Sequence, residues 1–204
     1  MRDRTLTMDE YLSSRMIADP LRLYDFCLET DGACAVLVTS LDRAKDGPQR
    51  PVVIRAVAQA SMPDVKGGFV WPTLMRTNLL DNPGRNAAKL LYQRAGLGPS
   101  DIDVAEIYDC FTITALQQLE DFGFCERGEG GPFAESGALE LDGAIPFNTS
   151  GGHLSEAYIH GMGHVVEGVR QIRGTSSQQV PNAETCLVTA GSNIPTSALM
   201  LAVE

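Results

Sequence analysis

The chain has 204 residues, of which 44% are hydrophobic and 21% charged, an ordinary globular balance that excludes a disordered chain. It is long enough for one sizeable domain with its own core. The formal net charge is -10 and no Lys/Arg cluster is present, which excludes a typical nucleic-acid binder.

No uncharged apolar run approaches the roughly 18 residues that a membrane-spanning helix needs, so no membrane span is expected. The N-terminus has no apolar stretch of the kind a secretory signal carries. The five cysteines (Cys27, Cys34, Cys110, Cys125 and Cys186) form no CxxC pair, so neither a zinc knuckle nor a redox motif is suggested. A reduced, cytoplasmic setting follows from that usage.

In chain order, residues 8–17 look helical, and Asp19-Pro20 ends that segment because proline disfavours helix in the residue before it. Asp31-Gly32 marks a turn. Residues 33–39, ACAVLVT, form a continuous apolar run, which predicts a strand buried on both faces. Ser40 is placed to cap a short helix over residues 41–45. A second strand is predicted over residues 52–58. Residues 61–80 have no clean period and contain Pro63, Gly67-Gly68, Trp71 and Pro72, the look of a long functional or surface excursion.

Asn82-Pro83 opens a helix that runs to Arg94. A strand is expected over residues 104–108 and a helix over 111–122. Residues 126–135 are glycine-rich and acidic and predict a loop. One long helix is predicted over 155–173, stopped by Gly174. Residues 186–190 and 197–203 close the chain as two strands with a turn at 191–195. Strands and helices alternate and end in two adjacent strands, which points to a layered α/β domain. Neither GxGxxG nor GxxxxGK[ST] occurs, so no Rossmann or P-loop nucleotide site is indicated.

Two segments concentrate reactive residue types. The first is Tyr108-Asp109-Cys110-Phe111, at a predicted strand-to-helix junction, where α/β domains place their sites. A phenol, a carboxylate and a thiol in succession suit acid/base or nucleophilic chemistry. The second, residues 148–164, holds all three histidines. Ser150-Gly151-Gly152 allows a tight backbone approach ahead of a helix, a place for ligand contact. His160 and His164 are spaced i, i+4, with Glu156 a further turn back. That spacing is able to hold a metal, but it is not HExxH and no third ligand is in view, so no metal is expected.

These motifs resemble the sterol-carrier-type thiolases. Members carry His-Asp-Cys-Phe where this chain has Tyr108-Asp109-Cys110-Phe111. They carry Asn-Pro-Ser-Gly-Gly where it has Asn148-Thr149-Ser150-Gly151-Gly152, and Gly-His-Pro where it has Ala157-Tyr158-Ile159. The opening (residues 13–19, Pro20-Leu21-Arg22-Leu23 and Asp31-Gly32-Ala33) resembles the family's passage into its C-terminal half. The resemblance covers essentially the whole chain. It implies the C-terminal half of a thiolase fold, an α/β layered mixed sheet with helices. Residues 1–31 then end the thiolase loop or linker region, and 32–204 form the C-terminal domain. The family's full chain has two similar halves, so this sequence is expected to be a fragment, a truncated product or one piece of a split protein, and to pair with something.

Both histidine positions are tyrosine, and the proline is isoleucine. A phenol with a reference pKa of about 10 is a poor thiol activator but a reasonable proton donor or acceptor when its neighbours tune it. Together with residues 156–162 and 167–171, these departures resemble the thiolase-like aldolases of bacterial steroid side-chain degradation, often labelled lipid-transfer proteins. That resemblance implies retro-aldol cleavage of a β-hydroxyacyl-CoA, a steroid side-chain thioester, to a ketone and propionyl-CoA. It implies no cofactor beyond the CoA thioester substrate, an OB-fold partner with a zinc ribbon, and a homodimer of the full-length chain. On this reading Tyr108 and Tyr158 share the proton transfers, and Asp109 orients or tunes the site. His160 lowers a tyrosine pKa, and Ser150, Gly151 and Gly152 contact the CoA thioester. Cys110, at the position of the sterol-carrier thiolases' second cysteine, is a bystander. The competing expectations are a sterol-carrier-type thiolase or acyl-CoA acyltransferase, and a non-catalytic lipid-binding subunit.

Overall fold

The computed structural model describes residues 5–61, 83–191 and 196–204. The elements, in chain order, are α1 (Met8–Ser13), β1 (Met16–Ala18), β2 (Leu21–Arg22), α2 (Leu41–Lys45), β3 (Val53–Ala60), α3 (Gly84–Ala95), β4 (Val104–Glu106), α4 (Thr112–Asp121), α5 (Gly130–Glu135), α6 (Gly152–Ser155), α7 (Met162–Arg173), β5 (Thr185–Ala190) and β6 (Thr196–Ala202).

The main sheet has four strands in the order β3-β6-β5-β4. β6 runs antiparallel to both β3 and β5, while β4 runs parallel to β5. Its central and β4-side strands are buried on both faces and alternate between two apolar layers, while β3 leaves Ile54 and Val57 exposed. Ala105, Leu187 and Met200 face a cluster with Ala87, Ala88 and Leu91 of α3. Val104, Cys186, Val188 and Leu201 point the other way, to Ile172 of α7. α7 comes close because of Gly168: a Cβ there would lie 3.0 Å from both Cys186 Sγ and Leu201 Cδ1.

The parallel pair decides where the chemistry collects. β4 leaves the sheet at its carboxyl end and runs directly into Tyr108. The Asn148 side chain extends the ladder there: Ile107 N–H donates to Asn148 Oδ1 (2.7 Å), and Asn148 Nδ2 donates to the Ile107 carbonyl (3.0 Å). The segment after β2 is tied to the same end. Phe26 bridges to Phe111, and Asp25 Oδ1 accepts from Thr112 Oγ1 at 2.7 Å.

The predicted strand over 52–58, the helices at 41–45, 82–94 and 111–122, and the two closing strands are present within a residue or two. Four expectations are corrected. The apolar run 33–39 carries neither helix nor strand and lies exposed, Leu37 at 94%. No described strand hydrogen-bonds to it, and a strand without neighbours leaves its backbone groups to water. The helix expected over 8–17 stops at Ser13, and Met16–Ala18 pairs with Leu21–Arg22 instead. The acidic loop 126–135 contains α5. Of the long helix expected over 155–173 only α7, Met162–Arg173, forms: α6 ends at Ser155, and His160 (φ 49°) and Gly161 (φ 87°) are left-handed and cannot continue a helical turn. The aperiodic segment with Pro63, Gly67-Gly68, Trp71 and Pro72 lies outside the described residues.

Candidate active site

Tyr108 is locked by its backbone. Its N–H donates to Thr189 Oγ1 on β5 (2.9 Å), and its carbonyl accepts from Gln118 Nε2 on α4 (2.7 Å). Gln118 Oε1 accepts from Thr189 Oγ1 in turn, so two elements, β5 and α4, hold one residue. Tyr158 lies in the turn between α6 and α7. Its hydroxyl is 2.7 Å from the Tyr108 hydroxyl and 2.7 Å from His160 Nδ1. The rings of Tyr108 and Tyr158 meet edge to face. Tyr108 is buried, Tyr158 half-buried and His160 exposed, so the chain of three polar groups runs from the interior to the surface. A cleft of about 440 Å³ opens beside His160, lined largely by apolar residues including Val57, Val165, Val188 and Leu199.

Beneath the tyrosines lies a buried cluster of Glu106, Asp109, His153 and His164. Asp109 accepts from the backbone N–H groups of His153 (2.8 Å) and Leu154 (3.3 Å), and so anchors α6. Gly152 makes that possible: a Cβ there would sit 2.4 Å from Asp109 Oδ2 and 2.7 Å from Asn148 Nδ2. His164 stands between two carboxylates, with Nδ1 3.3 Å from Glu106 Oε2 and Nε2 3.1 Å from Asp109 Oδ1. The His153 ring packs on Tyr108, Tyr158 and His164.

The donor atoms of Asp109, His153 and His164 lie within 4.8 Å of one another, a spacing that suits a metal. The tautomer of His153 argues otherwise. Gly161 N–H donates to His153 Nε2 at 3.0 Å, so that nitrogen is bare and the ring proton is on Nδ1. Nδ1 is the atom that would face a metal, and a protonated nitrogen does not ligate. It lies 3.3 Å from Asp109 Oδ1 without completing a hydrogen bond to it. The i, i+4 pair seen in the sequence is also separated: His164 is buried in α7, while His160 precedes that helix and bonds to Tyr158.

Burial, then the hydrogen bond to Tyr158, pushes the Tyr108 phenol well above its ordinary pKa. Burial also raises the Asp109 carboxyl, but the His164 hydrogen bond and charge outweigh it and leave Asp109 below the usual carboxylate range. Burial pulls His164 down, and its bonds to Asp109 and Glu106 more than reverse this, lifting it to about 9. Burial and the neighbouring His164 charge lower His153 to about 4, in keeping with the neutral tautomer that Gly161 requires. Burial raises Glu106, with His164 offsetting part of the shift.

The structure therefore brings Tyr108, Tyr158 and His160 into direct contact and places Asp109 behind them. Cys110 points elsewhere: its Sγ is 3.6 Å from Thr114 Oγ1, and burial raises its thiol. Ser150 and Gly151 line a separate polar cleft of about 560 Å³ with Glu156 and Gln178, whereas Gly152 is buried against Asp109. Glu106, His153 and His164 had no place in the sequence-derived site. The available signal was Glu106, a carboxylate inside the apolar strand Val104-Ala105-Glu106-Ile107, since a buried charge requires a partner.

A mixed sheet covered by helices on both faces, with its polar cluster at the carboxyl end of the parallel pair, defines a thiolase-like α/β fold. The chain belongs to the thiolase C-terminal domain-like family, whose model matches residues 72–202. It is 48% identical over 199 residues to the 17-hydroxy-3-oxo-4-pregnene-20-carboxyl-CoA lyase of Mycobacterium tuberculosis, covering 97% of this chain and 51% of that protein. It is 43% identical over 202 residues to the steroid side-chain-cleaving aldolase of Thermomonospora curvata, covering 98% and 51%. The solved structure of the Ltp2-ChsH2(DUF35) aldolase superimposes with a TM-score of 0.92 at 43% identity, over 98% of this chain and 52% of that one. The chain thus spans about half the length of the curated relatives it matches. No helix among the described residues is long and apolar enough to cross a membrane.

Proposed function

We propose that this chain supplies the proton-transfer groups of an acyl-CoA retro-aldolase. The carrying observation is the continuous Tyr108–Tyr158–His160 hydrogen-bond chain, which reaches from a buried phenol to the surface. A β-hydroxyacyl-CoA loses the proton of its hydroxyl to a base, and the bond between the carbinol carbon and the α-carbon then breaks. The products are a ketone and a thioester enolate, and an acid delivers one proton to the enolate carbon. No covalent enzyme intermediate is needed, so imidazole at the two tyrosine positions is dispensable.

Tyr158, bonded to His160 Nδ1, is the base: the hydroxyl proton passes to its oxygen as its own proton passes to the imidazole. Tyr108 rests as a phenol because ionising it in its buried setting is costly; as the acid it gives its proton to the enolate carbon and takes one back from Tyr158 across their 2.7 Å contact, so the proton lost by the substrate hydroxyl is the one returned. Asp109 acts behind both by fixing α6. The names of the relatives support a steroid thioester as substrate: a 17-hydroxyl with a 20-carboxyl-CoA is a β-hydroxyacyl-CoA, and its cleavage gives a 17-ketone and propionyl-CoA. The Ltp2-ChsH2(DUF35) neighbour supports a DUF35-type partner, which we take to be the OB-fold, zinc-ribbon protein expected from sequence. A dimeric, cytoplasmic assembly completes the reading. The test is to incubate the full-length protein and its partner with such a thioester and assay ketone and propionyl-CoA. If Tyr158→Phe cleaves within a few fold of wild type, the assignment is wrong.

A further inference from the structure

His164 has no hydrogen bond to either tyrosine hydroxyl, yet it contacts Asp109 and His153, which hold α6 and the turn carrying Tyr158. Both ring nitrogens face carboxylate oxygens, Glu106 Oε2 at 3.3 Å and Asp109 Oδ1 at 3.1 Å. A neutral imidazole has one N–H and one lone pair, whereas an imidazolium donates from both nitrogens. Glu106 is itself fixed, since its Oε1 accepts from Thr149 N–H (3.0 Å) and Thr149 Oγ1 (2.8 Å). Asp109 carries the first turn of α6 through His153 N–H and Leu154 N–H. The His164 ring lies 4.4 Å from the His153 ring, which is 4.6 Å from Tyr108 and 4.8 Å from Tyr158. His153 Nε2 also receives Gly161 N–H, at the end of the turn that carries Tyr158 and His160.

We propose that His164 is a positioning residue for the tyrosine pair, acting through Asp109 and His153. The inference rests on the reading of Tyr108 and Tyr158 as proton-transfer groups. A cation held between Glu106 and Asp109 keeps Asp109 as a pure acceptor, able to hold α6 and to face His153 Nδ1–H. The Asp109 charge, 3.3 Å from Nδ1 though not hydrogen-bonded to it, favours the His153 tautomer with Nε2 bare. The bare Nε2 takes Gly161 N–H, and the turn closes with Tyr158 on Tyr108. Without the cation, two carboxylates share one buried cluster, and one of them takes a proton. Asp109 then no longer acts only as an acceptor, and a His153 ring protonated on Nε2 meets Gly161 N–H as donor against donor.

His164→Gln alone leaves buried carboxylates uncompensated and risks failing to fold. The paired variant Glu106→Gln/His164→Gln removes one carboxylate together with the cation and leaves Asp109 buried without a counter-charge, where burial favours its protonated form. In the complete active assembly its kcat is expected to fall about 10²-fold with KM nearly unchanged, as for a reacting group displaced by around an ångström. A second readout needs no turnover: nitrogen NMR of the imidazoles in the complete protein at neutral pH. The wild type should show His164 protonated on both nitrogens and His153 neutral with its proton on Nδ1, and the paired variant should lose the His153 signature. A wild-type His164 with a bare nitrogen overturns the inference. So does a paired variant that keeps either wild-type kcat or the His153 tautomer. If the wild-type assembly cleaves no β-hydroxyacyl-CoA, the functional reading fails, and the spectrum still decides the clamp.

Discussion

The hydroxyl oxygens of Tyr108 and Tyr158 lie 2.7 Å apart across fifty residues of sequence, and Tyr158 alone also reaches His160. Tyr158 is therefore the middle member of the chain, and removing its oxygen breaks both links. Tyr158→Phe is expected to lower kcat for retro-aldol cleavage by about 10²–10⁴-fold, the range for a lost acid/base group. His160→Gln, which breaks only the outer link, is expected to cost less. Steady-state assay of ketone release by the complete assembly orders the two.

Cys110 is expected to be dispensable. Burial raises its thiol, and its hydrogen bond runs to Thr114 and to neither tyrosine. Cys110→Ala should cleave the thioester within a few fold of wild type. A loss comparable to that of Tyr158→Phe would favour a thiol-based acyl transfer over the retro-aldol.

Gly152→Ala is expected to destabilise the fold for a local reason. The residue has φ 60°, and its Cβ would fall 2.4 Å from Asp109 Oδ2. Overpacking of this kind costs about 1–3 kcal/mol, and at this chain length each kcal/mol lowers Tm by roughly 2–4 °C. Gly96→Ala is the control: its φ is 69° but nothing lies within 4 Å of its Cβ, so it should lose only the backbone strain. Thermal unfolding of the two variants separates crowding from strain.

The buried histidines predict a stability maximum near roughly pH 6.5. His164, lifted to about 9 by Asp109 and Glu106 against its burial, contributes fully below the ordinary histidine value. That contribution is lost as pH rises through about 9, while the raised Glu106 loses its own contribution as pH rises from the ordinary carboxylate value upward. His153, lowered to about 4 by burial and the His164 charge, costs stability as pH falls from the ordinary histidine value toward 4. The lowered Asp109 loses its contribution at still lower pH. Melting temperatures measured across pH should fall on both sides. In Glu106→Gln/His164→Gln the alkaline fall should flatten.

Apart from Tyr158, which entered through the family resemblance, the sequence by itself determined the layered α/β class and most of the core strands and helices, and marked Tyr108, Asp109 and His160 as candidate groups. Each of these rests on local information: apolar runs, glycine and proline breaks, and short motifs whose residues are contiguous. Tertiary structure decided the rest. Residues 33–39 have the composition of a buried strand, but a strand exists only where another backbone meets it, and none among the described residues does. The helix expected over 155–173 begins only at Met162, behind the left-handed His160 and Gly161, and the N–H of Gly161 is held by the ring of His153. The Glu106–His164–Asp109 clamp joins β4, α7 and the loop after β4, residues 55 and 58 positions apart. A buried charge states only that it requires a counterpart, and which side chain answers it is fixed by how the elements pack.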